Sequence, residues 1–254
     1  MTVNLEHNKG DEIMRKYRRF VAWIGLILGV GIITLHLPAV QHFLVSHASE
    51  HATQQVTRRN VTRNEQRKGN FDAAKTTQAN AAMELQNLRN SKHAPVIGKL
   101  SIPAAKIYLP IIKGYGPGSA YLALGACTMR PDQKMGQNNY PLAGHHMVQN
   151  TIFHRLNKVK PGDMIYITDM HRVYCYKVYS NKTITKWDTN TIQPTTHDGK
   201  PIITLLTCNT YTETNYRWCV KGKLIYTRSF NARTLKKMKT WLFTPSCTAF
   251  YKPW

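Results

Sequence analysis

Acidic residues are scarce in this sequence: 13 Asp and Glu stand against 35 Lys and Arg in 254 residues, a formal net charge of +22. A surface this basic attracts polyanions through its summed field, and nucleic acid, anionic lipid and anionic wall polymers all qualify. Zinc-finger spacing, an RNP-like aromatic run and a basic helix are missing from the globular part, which argues against the common nucleic-acid readers. CxxC pairs are also missing. The five cysteines, Cys127, Cys175, Cys208, Cys219 and Cys247, are odd in number and isolated, so neither a complete disulfide framework nor a structural zinc site fits, and at least one thiol is free. There is no internal repeat and no heptad. Charge of either sign is absent from Phe20 to Ser49.

That last gap defines the organisation of the chain. Residues 20–40, FVAWIGLILGVGIITLHLPAV, are long enough to cross a hydrocarbon layer, which takes about 20 residues in a helix. Arg15, Lys16, Arg18 and Arg19 precede the stretch, so residues 1–19 are expected in the cytoplasm and everything after the span outside. The competing reading is a cleaved leader, because Ser46-His47-Ala48 is a small-x-small triplet; the apolar run exceeds the 7–15 residues typical of such leaders and favours an uncleaved anchor. Residues 41–93 are polar, with only a weak apolar series at Met83, Leu85 and Leu88, and read as a partly helical extracellular stalk.

From Pro95 the texture changes to short apolar runs cut by turn residues: VIGKLSIP, IYLPIIKG, DMIYITDMHRVYCYKVY, PIITLLTC and WCVKGKLIYT. The fold expected over residues 94–230 is therefore mainly β, closed into a barrel so that no edge is exposed. Asp169-Met170-His171 is placed as the turn of a hairpin. Beyond it, Tyr174, Tyr176 and Val178 alternate with Cys175 and Lys177 as one buried face would require. Residues 231–254 form a basic, aromatic tail; it is read as disordered or packed, with a membrane-surface or wall-surface contact as the functional alternative.

Cys208 ends the apolar run Ile202–Leu206 and so stands at a strand terminus, rigidly held yet reachable, as a nucleophile must be. Upstream, PLAGHHM supplies His145 as a candidate general acid/base, with His146 beside it. Downstream, Arg217 lies in NYRWCVKGKL, which reads as the next strand; if the TYTETN segment is the connecting loop, Arg217 returns to the thiol.

The ordered set LAGH, TLLTC and a following Arg resembles the sortases, whose signature is TLxTC with an upstream His and a downstream Arg. IGKLSIPAAKIYLPIIKG and CTMRPDQKMGQNNYPLAGHHM are similar to the first strands and the pre-His segment of the family's class A, and the likeness extends over about residues 96–230. It implies an eight-stranded sortase-type β-barrel with short helices. It makes Cys208 the nucleophile, His145 the acid/base and Arg217 the oxyanion stabiliser, and leaves His146 non-catalytic. It places Ala143 and Thr207 beside the substrate groove, with the Asn209 backbone N–H as a second oxyanion donor.

The implied reaction cleaves an LPxTG-like sorting signal between Thr and Gly through a thioester. It then transfers the Thr carbonyl to a cell-wall precursor amine of the lipid II type, anchoring surface proteins to peptidoglycan. No cofactor is called for. Some class A relatives bind calcium before the catalytic His, but residues 130–139 offer Asp132 alone, so no metal is expected either. No acidic-aromatic lid precedes the barrel and no second span follows it, which favours a housekeeping role. The alternatives are a membrane-tethered polyanion-binding protein and a hydrolytic or inactive sortase-like protein.

Overall fold

The computed structural model describes residues 3–35, 38–72, 91–146, 151–210 and 214–231; in the first 41 residues it describes side chains for 14–32, 39 and 40. The apolar series at Met83, Leu85 and Leu88, Cys247, the 232–254 tail and the middle of TYTETN lie outside these ranges. Two compact units are present, Met1–Gln41 and His42–Trp254.

Nine strands follow one another after residue 95: β1 (Val96–Ile102), β2 (Ile107–Ile112), β3 (Ala126–Thr128), β4 (Asn139–Ala143), β5 (Met164–Thr168), β6 (Arg172–Thr185), β7 (Thr196–His197), β8 (Lys200–Cys208) and β9 (Tyr216–Ser229). They pair in the order β4-β3-β2-β1-β5-β6-β9-β8-β7, and β4 also pairs with β8. That last pairing closes eight strands into a barrel. The two-residue β7 is an appendage that pairs only with the start of β8. The fold is thus mainly β, a closed eight-stranded barrel as expected from the sequence.

Strand alternation fills the interior. Leu100, Ile102, Leu142, Ile165, Ile203 and Leu205 point inward and are almost fully buried, each contributing about 1.5–3 kcal/mol by removal from water. The β5–β6 hairpin turns where the sequence places it. Asp169 accepts hydrogen bonds from the backbone of His171 (2.8 Å) and Arg172 (2.6 Å), while Met170 takes a left-handed φ of 67°. The alternation along β6 is the expected one: Tyr174, Tyr176 and Val178 pack on the interior, and the slip between Cys175 and Tyr176 is an extra residue in β9, whose Tyr226 and Leu224 oppose them. Cys175 is buried too, because the outer face is covered here: it packs against Val173 and Tyr166, with Tyr226 and Phe230 over them.

Among the described residues three helices precede the barrel: α1 (Val3–Leu35), α2 (Pro38–Gln54) and α3 (Arg58–Glu65). The stretch read as one span, 20–40, is divided between α1 and α2, with Pro38 at the first position of α2, where its missing N–H costs nothing. Among the described residues no helix is long and apolar enough to cross a membrane. The side chains described in α1 begin at Met14 and so include Arg15, Lys16, Arg18 and Arg19.

Within the 41–93 segment, α2 and α3 lie on the barrel. Ala48, Ala52, Val56 and Val61 bury themselves against Val96, Ile112 and Tyr115. Thr57 caps α3 by accepting from the Asn60 N–H, and Asn64 Nδ2 donates to Val96 O at 2.9 Å. Small side chains let these helices approach the sheet closely, so this part is a packed layer rather than a solvated connector.

Candidate active site

Every residue of β8 from Ile202 to Thr207 is buried, and Cys208 at its end is half-buried. Ile203 and Leu205 face the interior, so by alternation Ile202, Thr204, Leu206 and Cys208 face outward. On one side β8 pairs in parallel with β4, Ala143 opposite Leu206, and the ladder continues as Gly144 N–H donates to Leu206 O at 3.1 Å. On the other side β8 pairs antiparallel with β9, and its last partners are Cys208 and Arg217. His145 lies as far beyond Ala143 as Cys208 lies beyond Leu206. The register therefore brings His145, Cys208 and Arg217 to one rim of the barrel, on three adjacent strands.

Local contacts explain the LAGH run. A Cβ on Gly144 would meet Phe153 Cδ2 at 2.9 Å and Ile152 Cγ2 at 3.0 Å, so any larger residue forces Phe153 or Ile152 to shift. His145 is pinned by its backbone, donating to Leu122 O at 2.9 Å and accepting from Phe153 N at 3.3 Å. Burial pushes its imidazole pKa down from the ordinary value to about 4, and its Nε2 has no hydrogen-bond partner in the structure. His145 is accordingly neutral at pH 7. The half-buried His146 is also held down by burial and by His154, and is raised by a hydrogen bond to the Cys208 main chain.

The Arg217 guanidinium donates to the carbonyl oxygens of Thr214 and, at 2.9 Å, Tyr216, at the start of β9. Ala143 is partly exposed on the outward face. Thr207 is not: it is 3% exposed, faces inward opposite Trp218, and its hydroxyl has no hydrogen-bond partner. The Asn209 N–H is engaged by Tyr216 O at 3.4 Å, a long bond.

Sequence reasoning missed the residues that cover the outward face of β4 and β8. The loop between β6 and β7 crosses it, held by Asn139 Nδ2 donating to the carbonyls of Thr191 (2.9 Å) and Gln193 (3.0 Å) and by Arg130 Nη1 donating to Ile192 O (2.8 Å). Asn139 Oδ1 accepts from Thr204 Oγ1 at 2.8 Å, completing a buried network. Gln133 anchors the preceding turn through Pro141 O at 2.9 Å. The one hint was an Asn at the mouth of an apolar strand, where polar side chains otherwise avoid burial.

Asp132, the lone carboxylate of this turn, is gripped by Arg130 at 3.0 and 2.9 Å, and that guanidinium lowers its pKa. Among the described residues no cluster of His, Cys, Asp or Glu could hold a metal ion. Cys127, Cys175 and Cys219 are free, buried thiols. Burial raises all three, Cys175 to about 12, so none forms a thiolate near neutrality. Cys208 is the one half-buried thiol among the described residues.

Residues 100–225 match the family model described as a sortase domain. Sortase A of Listeria monocytogenes is 34% identical over 201 residues, covering 78% of this chain and 88% of the relative. Sortase A of Streptococcus agalactiae is 32% identical over 221 residues, covering 84% and 87%. The solved structure of the Listeria enzyme superimposes with a TM-score of 0.53 at 40% identity, over 56% of this chain and 96% of that one. The barrel, the rim geometry and these likenesses agree: the chain belongs to the sortase family, on its sortase A side, and is a cysteine transpeptidase that sorts surface proteins.

Proposed function

We propose that Cys208 attacks the carbonyl of the Thr–Gly bond in an LPxTG-like signal, with His145 as acid/base and Arg217 as oxyanion stabiliser. The observation that carries this reading is the register row of His145, Cys208 and Arg217 along one rim. A neutral His145 suits the first step. It accepts the Cys208 proton as sulfur attacks, since the thiolate is the reactive form, and the imidazolium then protonates the departing Gly amine. What remains is a thioester. Neutral again, His145 takes a proton from the incoming amine of a lipid II-type wall precursor as the amine nitrogen attacks the thioester carbonyl. The C–S bond then breaks, and the departing Cys208 thiolate takes the proton back from the imidazolium.

Charge developing on the carbonyl oxygen is met by Arg217, whose fork is already oriented by Thr214 and Tyr216, so little reorganisation is needed. The Asn209 N–H is a second donor once its long bond to Tyr216 O is given up. The signal lies on the outward face of β4 and β8, over Ala143 and Leu206 and beside the loop that Asn139 holds. Thr207 acts from the buried side of the same strand, shaping the rim rather than touching the signal.

Location follows from α1. Phe20, Val21, Trp23, Leu26, Ile27 and Leu28 are all exposed over more than half of the helix circumference, Ala22, Gly25 and Gly29 complete it without a charge, and a helix apolar all round is at home in lipid. The chain is a single-pass membrane protein with residues 1–19 in the cytoplasm and the barrel on the outer surface. α2 and α3 form the close-packed part of the connector.

The test uses the full-length chain with an LPxTG peptide and an amine nucleophile, read by mass. The expected product is the peptide cut after Thr and joined to the amine. Cleavage without the adduct marks a hydrolase, and cleavage that survives Cys208→Ala removes the mechanism.

A further inference from the structure

We propose that the two adjacent histidines divide the work of this site, with His146 a positioning residue that holds the main chain of Cys208 while His145 moves protons. The inference rests on the reading of Cys208 as nucleophile and adds a role for a residue outside that machinery.

The backbone around Cys208 gives the reason. Cys208 is the last residue of β8 and its partner Arg217 the last of the β8–β9 ladder. Immediately beyond it the chain bends, and the next backbone bond is the 3.4 Å contact from Asn209 N to Tyr216 O. A nucleophile at such a strand end needs another anchor, because a displacement of about 1 Å can cost roughly 100-fold in rate.

His146 supplies it from the turn that follows β4. Its ring hydrogen-bonds the Cys208 main chain, and because Nδ1 makes no hydrogen bond, the N–H falls to Nε2. The ring is itself held in place. The backbone of His146 forms a bridge with Ile152, and the His154 ring meets it edge-on, with centroids 5.1 Å apart and planes at 64°. Gly144 permits this geometry by letting Phe153 and Ile152 close over the turn. Ile152, with a left-handed φ of 47°, shows how sharply the chain turns back to make the bridge.

His145 and His146 therefore reach the nucleophile differently. One presents a neutral imidazole at the rim with Nε2 uncommitted, and the other is spent on a main-chain contact. Imidazole chemistry is required of the first, whereas the second needs only an N–H at the right reach, which a Gln amide also provides.

The experiment measures kcat and KM for peptide cleavage, with melting temperature, in full-length His146→Leu, His146→Gln and His146→Asn. The Leu variant is expected to lose roughly 10- to 100-fold in kcat with KM within about threefold. Gln should recover most of that loss, and Asn, one methylene shorter, should not. Wild-type kcat in the Leu variant overturns the proposal. So does a Gln variant as inactive as His145→Gln at unchanged melting temperature, since that would place proton transfer on His146. If Leu fails to fold, the Gln–Asn comparison decides, and equal kcat in the two sinks the idea. Loss of activity in Cys208→Ala is independent of all these outcomes, so failure here leaves the nucleophile assignment standing.

Discussion

Cys208 and Arg217 face each other as the final cross-strand pair of β8 and β9, both on the outward face of the barrel. The guanidinium is half-buried and tied to the carbonyls of Thr214 and Tyr216, so its charge is fixed in direction as well as position. Arg217→Ala is expected to lower kcat/KM by about 100- to 1,000-fold, the usual loss for one oxyanion donor. Arg217→Lys should recover only a small part, because an ammonium keeps the charge but has a single nitrogen, whereas the planar guanidinium binds both carbonyls through Nη1 and keeps Nη2 and Nε in fixed directions for the substrate. Steady-state peptide cleavage by the two variants checks this, and full activity in the Lys variant would mean that charge alone suffices.

His145 predicts a pH dependence of stability. Its folded pKa of about 4 lies below the ordinary 6.5 of an imidazole, so the unfolded chain binds the extra proton first as pH falls. The contribution is fully present above pH 6.5 and is lost as pH falls toward 4. The shift of about 2.5 units corresponds to about 3 kcal/mol. Denaturant midpoints measured from pH 7 to pH 4 should fall steeply in the native sequence and less steeply in His145→Gln. Parallel curves would show that the imidazole is not held neutral by the fold.

The motif residues were legible because each sits where the chain pattern itself marks a strand end: TLLTC closes an apolar run, LAGH closes another, and Arg217 opens the next. The barrel was legible for the same reason. Asn139 and Arg130 were not, since their partners lie 52 to 62 residues away in a loop with no pattern of its own. The packing of α2 and α3 escaped because Ala48, Ala52 and Val56 are a faint stripe among polar residues. The burial of Cys175 escaped because its cover, Tyr226 and Phe230, comes from β9 and just beyond it, far along the chain. Thr207, set beside the groove by likeness, lies by alternation along β8 on the opposite face from Cys208.

Asn139 carries a separable prediction. Replacing it with Ala removes two bonds to the loop carbonyls and strands the Thr204 hydroxyl, at a cost of about 1–3 kcal/mol for each buried group left unsatisfied. Because the loop flanks the signal-binding face, KM for the peptide should rise more than kcat falls. Asn139→Ala combined with Thr204→Val removes both sides of the hydroxyl contact and should regain part of the stability without restoring KM. A single variant with unchanged KM would detach the loop from recognition.

Gly144 is the most demanding position in the LAGH run. A methyl there must displace Phe153, Ile152 or the Gly125 carbonyl, which stands 3.3 Å away. Overpacking of this kind costs about 1–3 kcal/mol. The displacement falls on the residues that fix His145 through Phe153 N and bridge His146 through Ile152. Gly144→Ala should therefore lose activity out of proportion to its stability, with kcat falling at least about 10-fold at temperatures where the protein remains folded. Pairing it with Phe153→Leu, which frees space beside the new methyl, should return activity before it returns the full melting temperature. If Gly144→Ala keeps wild-type kcat while losing stability, the close approach serves the fold alone and the histidines are positioned by other contacts.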